Sequence, residues 1–154
     1  MIKTLDITSP AFKHLKKIPS KYTCDGENVN PPISISNIPK ETKSMVVIVD
    51  DPDAPVGAWD HWVVWDIKPK KEIKENSIPG TEGINSFQNH HYKGPCPPSG
   101  SHRYFFKVYA LDKELGLHPY SKKKEVEKAM VDHILAAGGL IATYQRKIKK
   151  QLFM

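Results

Sequence analysis

The chain has 154 residues, a formal net charge of +6 and 39% hydrophobic residues, a length that suits one domain able to bury about 70% of its unfolded surface. No apolar run approaches the roughly 18 residues of a membrane span, and residues 1–6 lack the apolar core of a signal peptide, so a cytoplasmic protein with no integral membrane part is expected. All but two of the 23 basic residues are lysines; with only two arginines for bidentate phosphate and base recognition, the charge does not indicate a nucleic-acid partner.

In chain order, Ile33-Ser34-Ile35-Ser36 alternates with period two and predicts a strand. Residues 44–49, 61–67 and 104–111 are continuous β-branched and aromatic runs, the pattern of central strands covered on both faces. Between them stand Asn30-Pro31-Pro32, residues 51–55, Pro79-Gly80 and residues 94–100, all strong turn signals. Near the C-terminus Ser121 is placed to cap a helix whose apolar face is Val126, Met130 and Ile134, with Gly138-Gly139 ending it and residues 140–144 forming a last strand. The lysine clusters at 68–71, 122–124 and 147–150 read as solvated faces. No repeat or long linker divides the chain, so residues 1–154 are expected to form a single domain, and thirteen prolines favour a turn-rich β fold. Cys24 and Cys96 fall in different loops, and a reducing compartment predicts two free thiols.

The chemistry concentrates in two loops. Asp51-Pro52-Asp53-Ala54-Pro55 follows an apolar strand that delivers both carboxylates to one rim, and His61 opens the next strand, so antiparallel pairing brings Asp51 or Asp53 near it. Alternation along that strand points His61 and Trp62 to opposite faces. His102 and Arg103 follow the Pro/Gly-rich residues 94–101, whose backbone N–H groups can form an anion-binding concavity. Two histidines, carboxylates and loop amides together suit a phosphate-like or carboxylate ligand, and the aspartates add a place for an ammonium group. Neither a nucleophile elbow nor a zinc-ligand spacing is present, so no enzymatic activity, metal or other cofactor is expected. A Ser99, Ser101 or Cys96 nucleophile served by a histidine is the hydrolase alternative.

These segments, with Gly94-Pro95-Cys96-Pro97-Pro98 and Gly100-Ser101-His102-Arg103-Tyr104, resemble the two signature regions of the phosphatidylethanolamine-binding protein family. Tyr22-Thr23-Cys24-Asp25-Gly26 with Pro31-Pro32, and residues 127–135, resemble its bacterial and archaeal branch. The resemblance runs from Ile7 to Arg146. It implies a mainly β fold: a large central antiparallel sheet and a second smaller sheet, sandwich-like with Greek-key connections, and one or two short helices near the C-terminus. It further implies a shallow anion pocket formed by Asp51, His61, His102 and Tyr104, with Asp53 and the loop carrying Gly94, Pro95 and Pro97 as its wall. The family includes inhibitors of kinases and of serine proteases, so a regulatory protein partner is expected beside a small anion or phosphorylated ligand. An alternative is a serine protease inhibitor acting through an exposed residue 94–100 loop. Compared with animal members, the sequence carries only a short tail after Tyr144 in place of a longer C-terminal helix, so a more open pocket, covered by the tail or by a partner in a homodimer, is expected.

Overall fold

The structure is a computed structural model that describes residues 1–147. The tail expected to reach toward the pocket lies, from residue 148 onward, outside the described residues. The described residues form two sheets. The larger contains seven strands: β1 (Lys3–Thr4), β3 (Lys16–Lys17), β5 (Ser44–Asp51), β6 (Trp59–Ile67), β8 (Thr81–Glu82), β9 (His102–Leu111) and β10 (Ile134–Tyr144). The smaller contains β2 (Asp6–Thr8), β4 (Ile33–Ser36) and β7 (Glu72–Ile73). In the large sheet β10, β9, β5, β6 and β8 pair antiparallel in that order, whereas β1 and β3 both pair parallel with β10, so the sheet is mixed and not wholly antiparallel.

All eight residues of β5 are buried, which follows from its position between β6 and β9 with both faces covered. Its odd-numbered side chains Met45, Val47 and Val49 enter the main core with Ile7, Ile33, Ile35 and Ile73 of the small sheet. The even-numbered Val46 and Ile48 pack instead with Val126 and Met130 of α1 (Lys123–Met130), the single α-helix among the described residues. Period-two alternation therefore assigns one sheet face to the second sheet and the other to the helix. A short 3₁₀ turn at Ser20–Tyr22 lies in the N-terminal half. No helix among the described residues is long and apolar enough to cross a membrane.

The C-terminal half departs from the sequence expectation. Lys122, not Ser121, occupies the cap, where its backbone N–H donates to Glu125 at 2.9 Å. The helix stops at Met130, Asp132 takes a left-handed φ of 67°, and Ile134 begins β10, packing against the Val126 and Met130 cluster from the strand. Gly138-Gly139 lies inside β10 because the N-terminal segment crosses directly over it: a Cβ on Gly138 would stand 2.2 Å from the Leu5 carbonyl oxygen. Close backbone approach and the β9 ladder, not helix termination, account for the pair.

The thiol expectation is also corrected: Cys24 and Cys96 form a disulfide. Residues 22–24 and 94–96 run against each other so closely that a Cβ on Gly94 would lie 2.0 Å from the Tyr22 carbonyl oxygen. That contact brings the two cysteine Cα atoms to 5.4 Å, within bridging range. The compartment argument carried no information about this proximity. Residues 68–71 are exposed as expected, but Lys123 is half-buried and turns its ammonium inward.

Candidate functional site

β5 and β9 are neighbours, and β5 ends in Asp51 where β9 begins with His102. The two side chains meet there: His102 Nδ1 lies 2.6 Å from Asp51 Oδ2, and both residues are buried. The other Asp51 oxygen accepts the Asp53 N–H at 2.7 Å, which closes the Asp-Pro loop as an Asx turn and fixes the carboxylate. The order of strands thus pairs Asp51 with the distant His102 in preference to His61.

His61 reaches the same place through a defect in the ladder. Val49 pairs with Trp62 and Asp50 with Asp60, so His61 is an extra residue on β6. This β-bulge cancels the alternation that would have aimed it away. Its ring packs edge-on against Tyr104 at 5.3 Å, and His102 stacks on Tyr104 at 6.4 Å. His61 Nδ1 lies 2.5 Å from the Lys93 carbonyl oxygen. Because a carbonyl only accepts, Nδ1 carries the proton and donates it.

These residues line a cavity of about 270 Å³ with Ala54, Pro55, Val56, Trp59, Phe87 and the Cys96-Pro97-Pro98 segment. That segment is fastened to the 22–28 loop by the disulfide and by hydrogen bonds from Gly94 N to Asn28 (2.7 Å), Cys24 N to Pro95 O (3.1 Å) and Tyr92 OH to Tyr22 O (2.8 Å). Asp25 secures the same loop to β10, accepting from the Tyr144 hydroxyl at 2.7 Å and from Arg146.

Of the residues singled out in the sequence, Asp51, His61, His102, Tyr104 and Pro97 come together around the cavity. Gly94 and Pro95 are buried behind the wall as its anchor and do not line it. Asp53 lies outside it too, gripping Arg103 through Nε at 2.9 Å and a second guanidinium nitrogen at 2.8 Å. The aromatic part of the lining, Trp59 and Phe87 in edge-to-face contact at 5.6 Å, was not foreseen. Its one sequence signal is Phe87, a lone aromatic among Ser86, Gln88 and Asn89.

Burial pushes the His61 pKa below its ordinary value of 6.5, against the raising pull of the Lys93 carbonyl and of Asp51 and Asp60. Arg103 holds Asp53 down at about 2, and burial drives Tyr104 upward so that it remains a phenol. At neutral pH His61 is therefore an uncharged ring with Nδ1 already engaged. Among the described residues no group of three or more His, Cys, Asp or Glu is placed to hold a metal ion. The disulfide removes Cys96 as a nucleophile.

A two-sheet β domain whose large sheet ends in a histidine–aspartate pocket is the class that fold and site define. The family model for phosphatidylethanolamine-binding proteins matches residues 8–145, and the chain belongs to that family. A UPF0098 protein of Methanothermobacter thermautotrophicus is 44% identical over 150 residues, covering 92% of this chain and 99% of that one. UPF0098 protein PH1269 of Pyrococcus horikoshii is 45% identical, covering 90% and 76% respectively. Among solved structures, the phosphatidylethanolamine-binding protein homologue CT736 of Chlamydia trachomatis superposes with a TM-score of 0.90 at 38% identity, covering 94% of this chain and 99% of its own. YbcL of E. coli, described as a member of the mammalian family, gives 0.85 at 28% identity over 93% and 99%.

Proposed function

We propose that the protein is a non-enzymatic binding module whose pocket takes a small anion of the phosphoryl or carboxylate type, with occupancy governing contact with a regulated protein such as a kinase or serine protease. The observation that carries this reading is the convergence of Asp51, His102 and His61 around Tyr104 at the floor of one cavity. Imidazoles from two strands supply directional nitrogen atoms for oxygen ligands, and the Asp51 carboxylate fixes the His102 ring through its Nδ1. The phosphatidylethanolamine-binding name of the family points to the same phosphoryl chemistry. Protease inhibition by an inserted loop has less support, because Gly94, Pro95 and Pro97 are buried and only residues 98–101 are exposed. Ser99 and Ser101 stand among those exposed residues, outside the cavity lining, so the site offers no placed nucleophile.

Calorimetric titration with inorganic phosphate and phosphorylethanolamine tests the reading. Saturable binding is expected, weakened about 10- to 100-fold in His102→Ala by loss of one charge-assisted hydrogen bond, with the fold intact by circular dichroism. Absence of binding at millimolar ligand, or equal affinity in the variant, would remove the pocket from the account.

A further inference from the structure

Cys24 and Cys96 are each half-buried, and neither lies in a strand. Neither belongs to the hydrophobic clusters that hold the sheets and the helix together. The bridge therefore joins two loops, and one of its ends, Cys96, lines the cavity. The two loops are held unequally. On the Cys24 side the Thr23 hydroxyl donates to Ser20 O at 2.8 Å, the Gly26 N–H donates to Thr23 O at 3.1 Å, and Asp25 accepts from the Tyr144 hydroxyl and from Arg146. These bonds fasten that loop to β10 without help from the bridge.

The Cys96 side is less well supported. Pro95 O accepts from the Cys24 N–H at 3.1 Å, but residues 97–101 make no hydrogen bond to any described residue. Pro97 and Pro98, which line the cavity, have no N–H to donate. The wall between Cys96 and His102 is therefore positioned by the bridge at one end and by the start of β9 at the other. A disulfide in half-exposed loops is open to thiol exchange in a way that one sealed in a core is not. Its loss would release the cavity wall while both sheets keep their own packing.

We propose that the Cys24–Cys96 bridge is a thiol-exchange site that controls the cavity: oxidised, it latches the residue 96–101 wall in place; reduced by a dithiol, it lets that wall go. One thiolate of the dithiol attacks a bridge sulfur, which breaks the sulfur–sulfur bond and forms a mixed disulfide. The second thiol of the reductant then displaces the remaining cysteine. Two electrons and two protons pass to the protein, Cys24 and Cys96 become thiols, and the dithiol becomes a disulfide.

The test is amide hydrogen exchange of the full chain before and after millimolar dithiothreitol, without denaturant, with thiols counted by mass after alkylation. Two new thiols are expected in the folded protein. The Cys24 N–H, paired with Pro95 O beside the bridge, should then exchange about tenfold faster, while Gly26 and the amides of β5 keep their protection. A variant carrying Cys24→Ser and Cys96→Ser should match the reduced protein at these amides and respond no further to dithiothreitol. A bridge that yields only in denaturant, unchanged exchange at Cys24, or loss of protection throughout β5 would overturn the inference. A last arm rests on the anion-pocket reading above: phosphate affinity should fall about tenfold on reduction, because the wall must be ordered at each binding event, and return on reoxidation with oxidised glutathione. Equal phosphate affinity in both forms would overturn control of the cavity. No phosphate binding by the oxidised form would overturn the anion-pocket reading, and the exchange results alone would then decide the latch.

Discussion

Asp50 and Asp51 are adjacent, both buried, and face opposite sides of the same strand. Asp50 points toward the helix, where Lys107 at 2.8 Å and Lys123 at 3.2 Å hold it, and Lys123 also reaches Asp60 at 2.8 Å. Asp51 points toward the cavity and has His102 as its partner. A lysine stays charged throughout the neutral range, so the Asp50 cluster is a fixed clamp between α1 and the sheet. A histidine has a second ring nitrogen to offer, and His102 lines the cavity, so the Asp51 cluster belongs to the candidate site. The chemical identity of the partner, more than that of the carboxylate, separates structural support from a candidate site on neighbouring residues.

Substitutions on each side should separate the two roles. Replacing both cysteines by serine removes the bridge behind the cavity wall and should lower stability by about 2–4 kcal/mol, read from the denaturant midpoint, and should weaken phosphate binding as well. Asp50→Asn should cost about 2–3 kcal/mol, since two lysines that retain some water contact lose their charge partner, while phosphate affinity stays within twofold. Asp51→Asn should reverse that pattern, costing about 1 kcal/mol of stability and roughly tenfold or more in affinity. If Asp50→Asn and Asp51→Asn gave the same pair of effects, the division of labour would be wrong.

Acid titration adds two smaller effects. His61 has its folded pKa below its ordinary 6.5, so the unfolded chain binds that proton more readily. The stability contributed by the neutral ring is complete above 6.5 and is lost as pH falls through the folded value. Melting experiments should show this decline from about pH 6.5 downward, and added phosphate should oppose it. Asp53, held at about 2 against an ordinary 3.8, contributes stability that is present above 3.8 and disappears as pH falls toward 2. Its pair with Arg103 is partly exposed, so Arg103→Ala should cost only about 0.2–1 kcal/mol.

Much of this was legible in the sequence. Apolar runs placed β5, β6 and β9, and the family resemblance singled out Asp51, His61, His102 and Tyr104, which the strand ends bring to one cavity. What the sequence hid was local geometry set by contacts distant in the chain. No residue pattern announces that β6 carries one residue too many at His61, yet that bulge decides which face the ring joins. Gly138-Gly139 has the composition of a helix stop, and only the crossing of Leu5 shows why β10 needs it. Cys24 and Cys96 are 72 residues apart, and the packing of Tyr22 on Gly94 is what brings them together. Phe87 and Trp59 belong to the cavity because two loops meet, which no single segment records.

The central claim is that His61 is an uncharged ring whose proton sits on Nδ1 against the Lys93 carbonyl, beside the Asp51–His102 pair in the candidate pocket. Nitrogen-15 NMR of the histidine side chains at neutral pH tests it directly. The account predicts Nδ1–H with unprotonated Nε2 for His61 in the free protein, and a perturbed His61 or His102 resonance when phosphate is added. An Nε2–H on His61 before ligand is present, or no response of either ring to phosphate, would contradict it.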